Sequence, residues 1–325
     1  LSCVEPFSVQ SVEFDRAVVV EGRFTDEQKA HYVKLSYTRP VNEHEKTPIT
    51  NAEVWVEGSD GSIVEFTESD PGHYKSGDAV SGVVGTSYRL FFVTSDDRLY
   101  QSNLQELLPS PPIDSIYDVY AEKANNTTGN VTKGIQFYVD THDDNTKGRF
   151  YKYEWEETYE VYAQYPSNYE FIPDPDTVVG RVEEVSPCYA SGKSNAILLG
   201  TTANLTDNRL SEMPVRYITS ETDQLKVIYS ILVKQFVISP EAYGFYRDIL
   251  QNNEETGSLF DKQLGAVVGN ITSVEDPEET VLGFFEVSGV SVKRAFFKYD
   301  ELDKRFPWPE EQYPCPTRHT ISTLD

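Results

Sequence analysis

The feature that most limits what this chain can become is a period of two. Short runs rich in β-branched and aromatic residues recur roughly every 8–15 residues, separated by turn residues. Residues 17–22 form a β-branched run closed by Gly22. Residues 31–37 alternate apolar with polar. Residues 52–57 alternate in part, Ser59-Asp60-Gly61 supplies a hairpin turn, and residues 63–68 return. Pro71-Gly72-His73-Tyr74 marks another turn. Residues 88–93 come next, then Asp96-Asp97 and Leu99-Tyr100. Strands of this kind bury one face each, so the series predicts an antiparallel, immunoglobulin- or fibronectin-like β-sandwich over residues 13–106.

Residues 107–112 are proline-dense and read as a linker. Beyond it a larger β-rich C-terminal domain with one or two helices is expected over residues 113–325. Its strand-like segments are 134–140, 149–156, 227–236, 266–269, 281–287 and 294–299. Residues 156–185 are rich in Tyr and Pro and resist assignment. One helix is well marked: Ser239 can cap it, Pro240 suits its first turn and Glu241 complements its dipole. Tyr243, Tyr246, Ile249 and Leu250 then fall at helical spacing, and Gly257 can end it. The fold class expected is therefore mainly β.

A chain of 325 residues with 21 Tyr and 17 Phe can build a sizeable core. Its net charge of −25 repels phosphate backbones, which argues against nucleic acid as a partner. Anionic lipid headgroups are repelled as well, so the folded surface is not the expected membrane contact. Cationic ligands or basic partner faces are attracted, although a solvated acidic surface that keeps the protein soluble needs no partner. No apolar run reaches the roughly 20 residues of a membrane-spanning helix. A membrane link would have to be covalent.

The three cysteines do not form metal-type pairs. Cys188 and Cys315 are flanked by Pro187, Pro314 and Pro316. A disulfide between them would close a long loop, for about 2–4 kcal/mol of stabilisation; free buried thiols are the alternative. Cys3 then stands odd. The opening Leu1-Ser2-Cys3 resembles the end of a bacterial lipoprotein signal, after which the Cys becomes the acylated first residue. Residues 1–12 fit a lipid-anchor tether, since acyl chains add about 0.8 kcal/mol per buried CH₂.

No GxSxG elbow, HExxH pair, phosphate loop or dinucleotide fingerprint occurs, and the five histidines are scattered. With 53 carboxylates, chance proximity of two acids is the expected state, and the chain reads as a non-enzyme with no catalytic residues. Asp140, Asp143 and Asp144 could offer oxygens to a hard cation such as Ca²⁺, but they lack EF-hand spacing and a solvated turn accounts for them. No cofactor is required. Tyr151, Tyr153, Trp155 and Tyr159 alternate and suit a core. Tyr162, Tyr165 and Tyr169 break the alternation in a Pro- and Asn-containing stretch, which makes them the contact candidates. Asn125, Asn126, Asn130, Asn204 and Asn270 begin Asn-x-Ser/Thr triplets. Asp114-Ser115-Ile116 and Asp176-Thr177-Val178 resemble short O-glycosylation acceptors.

Several segments, in order, resemble one family: the Bacteroidota lipoproteins grouped as domain of unknown function 4249. Cys3 and Pro6, then residues 17–22 with Phe24-Thr25-Asp26, resemble its opening. Residues 49–54, Asp60-Gly61 and Pro71-Gly72-His73-Tyr74 resemble its first sandwich, and residues 84–90 and 112–116 its next landmarks. Pro187-Cys188-Tyr189, residues 257–261, Gly269-Asn270-Ile271 and residues 281–285 resemble its later ones. The resemblance implies a lipoprotein of the outer membrane, facing the cell surface or the periplasm with the surface expected, and typically encoded beside a TonB-dependent, SusC-like receptor. A binding or accessory role on that transporter is the leading expectation. The alternatives are an accessory lipoprotein of outer-membrane assembly or secretion machinery, whose partner would be a different β-barrel, and a stand-alone glycan-binding or adhesive sandwich.

Overall fold

The computed structural model describes residues 16–39, 47–124, 129–144, 147–162, 169–182, 187–255 and 267–308. Its strands are β1 (Val18–Thr25), β2 (Tyr32–Tyr37), β3 (Thr47–Pro48), β4 (Glu53–Gly58), β5 (Ile63–Asp70), β6 (His73–Lys75), β7 (Ser87–Val93), β8 (Leu99–Ser102), β9 (Gln105–Glu106) and β10 (Ile113–Ala124). They continue as β11 (Val131–His142), β12 (Phe150–Tyr162), β13 (Tyr169–Pro173), β14 (Asp176–Gly180), β15 (Pro187–Lys193), β16 (Leu198–Thr201), β17 (Arg209–Thr219) and β18 (Ile228–Val237). Helix α1 (Pro240–Glu255) precedes β19 (Ile271–Ser273) and β20 (Val281–Lys298). The protein is mainly β, as the alternation requires.

Two compact units emerge. The first joins residues 1–109 to residues 238–289; the second joins residues 110–237 to residues 290–325. The linker at residues 107–112 does straddle a change of unit. The division differs from two consecutive blocks, however, because residues 238–289 return to the first unit. The physical reason is β20. Its apolar first half runs parallel to β1, with Val18 opposite Val281 and Val20 opposite Gly283. This parallel pairing also departs from a purely antiparallel sandwich. The expected strands at 281–287 and 294–299 are one strand of 18 residues, and no strand forms at 266–269 among the described residues, where Val268 makes a single bridge to Leu282.

The first unit is a sandwich whose strand order runs β20-β1-β2-β6-β5-β4-β7-β8-β19. Strand β5 turns its corner: residues 63–66 pair with β4, whereas 67–70 pair with β6 across a register shift. The hairpin turn before β5 uses Gly61 at φ +85°, a left-handed value that a residue with a Cβ rarely adopts. Inward positions alternate as predicted, so Val54 and Val56 meet Leu90 and Phe92 in a core that also holds Val20, Phe24, Leu35 and Phe285. Each such side chain contributes roughly 1.5–3 kcal/mol on burial. Helix α1 starts as its sequence predicts: the Ser239 hydroxyl accepts from the Ala242 N–H at 3.1 Å, and the Ser239 carbonyl from Tyr243 at 3.0 Å.

Asn270, which begins one of the Asn-x-Ser/Thr triplets, has a structural role. It is buried, and its amide both donates to the Phe285 carbonyl and accepts from the Phe285 N–H, each at 2.9 Å. The side chain thus clamps β20.

In the second unit, β12 pairs with β18, β15 and β16, while β10, β11 and β17 form a three-stranded sheet. Phe137 on β11 stacks on Tyr229 of β18 with centroids 5.0 Å apart, which places the two layers face to face. Gln235 joins them: its amide reaches the Thr141 hydroxyl of β11 at 3.4 Å as well as the Pro111 carbonyl at 2.9 Å, and its carbonyl accepts from the Tyr153 hydroxyl at 3.0 Å.

Candidate functional site

Strand β12 builds the candidate site because its two faces do different work. The face carrying Tyr151, Tyr153, Trp155 and Glu157 turns inward, with Tyr151, Tyr153 and Glu157 buried. Glu157 is saturated there. One oxygen accepts from Arg216 Nε at 3.0 Å and the Tyr229 hydroxyl at 2.8 Å; the other accepts from Arg216 Nη2 at 3.1 Å and Gln224 Nε2 at 2.9 Å. The Arg216 guanidinium also lies 4.6 Å over the Trp155 ring. Burial, then the Glu157 charge, pushes the Tyr229 phenol far above its ordinary range. A carboxylate so engaged holds the layers together and has no lone pair left for acid–base work.

The opposite face of β12 is more exposed, and the strand pairs with β15 along its far half. Tyr162 lies opposite Pro187, Glu160 opposite Tyr189, Thr158 opposite Ser191 and Glu156 opposite Lys193. Tyr162 and Tyr189 are both largely exposed. Towards the strand centre a shallow cleft of about 380 Å³ is lined by Glu156, Thr158, Ser191, Lys193 and Arg294. Arg294 donates to the Ser230 hydroxyl at 2.7 Å, and Lys234 pairs with Glu156 at 2.8 Å.

Beyond β12 in the chain stands the hairpin β13–β14. Tyr169 lies opposite Gly180 and Phe171 opposite Val178, so Tyr169, Phe171 and Val178 share one face. All three are more than 60% exposed, which decides that this face is solvent-facing rather than core. Such a two-stranded ribbon is at best marginal in water without something to cover its apolar face.

The structure distributes the residues singled out in the sequence unevenly. Tyr162 ends β12 and Tyr169 opens β13, so both sit on strands instead of the loop expected. Tyr165, Cys3 and Cys315 lie outside the described residues. Cys188 stands on β15 as an exposed thiol, not a buried one. Asp140 is also on a strand, β11, and its carboxylate is engaged by Ser115, Tyr117 and the Glu212 N–H. The Asp143 N–H donates to the Asn208 carbonyl at 2.8 Å. Among the described residues no group of three or more His, Cys, Asp or Glu is arranged to hold a metal, so Asp140, Asp143 and Asp144 do not assemble a cation site. Among the described residues no helix is long and apolar enough to cross a membrane. The sequence reading missed Phe171, Val178 and Tyr189. The signal was present for the first two: Phe171-Ile172 and Val178-Val179 flank a Pro-Asp-Pro-Asp turn.

The architecture is that of a two-unit, mainly β protein with an exposed aromatic ribbon. The chain belongs to the family described as Domain of unknown function (DUF4249), whose model matches residues 4–294. No curated protein matches the sequence. Among solved structures it is similar to a DUF4785 family protein from Legionella pneumophila, at 7% identity and a TM-score of 0.22, over 66% of this chain and 51% of that one. The chain thus spans about half the length of that protein.

Proposed function

We propose that the protein is a non-catalytic surface lipoprotein, held in the outer membrane by acyl chains on Cys3, that serves as a binding or accessory subunit of a TonB-dependent transporter. The observation that carries this reading is the exposed apolar face of β13–β14, with Tyr169, Phe171 and Val178 side by side. Contiguous exposed apolar surface of this kind marks sites of protein interaction. Tyrosine and phenylalanine add large contact area at low entropic cost, as interface anchors do. The saturation of Glu157 supports a non-catalytic role for the most deeply buried acid of the site.

Detergent extraction of native membranes followed by affinity capture tests it. The wild-type protein is expected to bring a TonB-dependent barrel with it, and the Tyr169→Ser/Phe171→Ser variant to lose most of that barrel while remaining folded. Capture of an assembly or secretion barrel in its place favours the other accessory role. Capture of no barrel by the wild type overturns the reading.

A further inference from the structure

The first unit carries a different surface on the outer face of β4, β5, β7 and β8. The register lays it out in rows. Trp55 stands opposite Glu65 on β5 and Phe91 on β7, and Glu57 stands opposite Ile63 and Arg89. The Trp55 and Phe91 rings are stacked, with centroids 5.4 Å apart and planes 10° from parallel. Trp55 Nε1 donates to Glu57 at 2.9 Å, which anchors the edge of the indole. Where β5 leaves β4 for β6, the face opens into a groove of about 680 Å³ lined by Glu53, Trp55, Ile63, Glu65 and Thr67.

The charges of this face do not cancel. Its guanidinium, Arg89, donates to Gln101 at 3.1 Å and lies 5.9 Å over the Phe91 ring. Glu68 turns its oxygens to the Asn51 and Gly72 N–H groups at 2.8 and 2.9 Å. Glu53 and Glu65, one beside Trp55 along the groove and one directly across from it, form no hydrogen bond or ion pair among the described residues. An indole presents a negative ring face, and two unneutralised carboxylates next to it add to that field. The complement is a positive charge on an apolar stem. A neutral sugar would need donors as well as acceptors, and of the polar side chains that line the groove Glu53, Glu65 and Glu68 only accept while the Thr67 hydroxyl already donates to the Lys75 carbonyl. An anionic surface would be repelled by this face, as by the net charge of −25.

We propose that this face docks an arginine- or lysine-bearing segment of a partner protein, with the cationic side chain laid on Trp55 between Glu53 and Glu65. The inference stands on the first unit alone and does not depend on the membrane role proposed above.

The test titrates the full chain with an end-blocked Gly/Ser hexapeptide containing two arginines, by calorimetry at low salt. Glu53→Gln/Glu65→Gln, and separately Trp55→Ala, are each expected to weaken binding by about tenfold or more. Trp55→Phe should keep most of it. Asp300→Asn/Glu301→Gln, which removes the same charge from an exposed stretch of the second unit, should leave it unchanged. Three results overturn the proposal. One is equal weakening by the two double variants, which would mean general attraction to an acidic protein. Another is equal binding of a hexapeptide with glutamine in place of arginine. The third is full binding by Glu53→Gln/Glu65→Gln, above all if a neutral oligosaccharide then binds at Trp55, which would make the face a glycan platform.

Discussion

The two units solve the problem of a tyrosine-rich interior in different ways. In the first, two buried tyrosines reach the backbone and a third a side chain: the Tyr74 hydroxyl donates to the Ile49 carbonyl at 2.8 Å, the Tyr88 hydroxyl accepts from the Val83 N–H at 2.7 Å, and the Tyr100 hydroxyl donates to Glu279 at 3.1 Å. Around them the core is aliphatic and phenyl. In the second, they end on other buried side chains: Tyr151 on Asn208, Tyr153 on Gln235, Tyr229 on Glu157. The contrast is one of degree, because the first unit also buries a carboxylate, Glu286, against Arg23 at 2.8 Å and the Tyr246 hydroxyl at 2.7 Å. A backbone partner is guaranteed once the strands pair. A side-chain partner exists only while the whole network does, so loss of one member strands the others in a low-dielectric interior.

Removing the centre of the polar network is the severest way to test that contrast. Glu157→Ala leaves the Arg216 charge without its carboxylate and should cost about 3–5 kcal/mol. Urea unfolding measures it, and hydrogen exchange should show the loss in β12, β17 and β18 first. A cost below about 1 kcal/mol would erase the distinction between the units, since it is what an ordinary hydrogen bond contributes.

Asn270→Ala probes the backbone-anchored side of the comparison. It leaves the Phe285 N–H without its partner, and the cost expected is about 1–3 kcal/mol. The Phe285 carbonyl keeps the Gln105 amide at 2.6 Å, so this change should be milder than Glu157→Ala. Exchange should quicken in the first half of β20.

The smallest effect comes from His31, buried beside the Phe24 ring at 4.7 Å with Nε2 3.0 Å from the Val80 carbonyl. Burial lowers its pKa below the ordinary value, with the backbone contact to Val80 opposing in part. The unfolded chain therefore binds this proton more readily than the folded one. The His31 contribution is complete above about pH 6.5, falls as the pH drops through that value, and stops falling below the lowered folded pKa. The stability lost between about pH 7.5 and 5.5 should be smaller in His31→Gln than in the wild type. Equal losses would mean that the carboxylates alone set the acid response.

Much of the first unit was readable because its signals are local. Ser59-Asp60-Gly61 between two alternating runs gives the β4–β5 hairpin, and Ser239-Pro240-Glu241 opens α1. The candidate site was half readable. Tyr162 and Tyr169 stood out as aromatics off the core period, whereas the ribbon that exposes Phe171 and Val178 was hidden in a stretch whose prolines obscure the alternation. The cation-facing groove was not readable at all. Glu53, Trp55 and Glu57 look like an ordinary outward face of β4; Glu65 and Phe91 join them only through pairing with β5 and β7.

Three things were settled by the order of residues alone: that the chain is built of strands, where its best helix begins, and that its surface is strongly acidic. Periodicity, capping and charge are properties of neighbouring residues. Folding in three dimensions was needed to assign residues 238–289 to the first unit, to make Asn270 a clamp, and to bring Arg216, Gln224 and Tyr229 to the Glu157 carboxylate. Those outcomes depend on partners far apart in the chain. A strand or a carboxylate shows what it must satisfy in its own residues, but not which distant group will satisfy it.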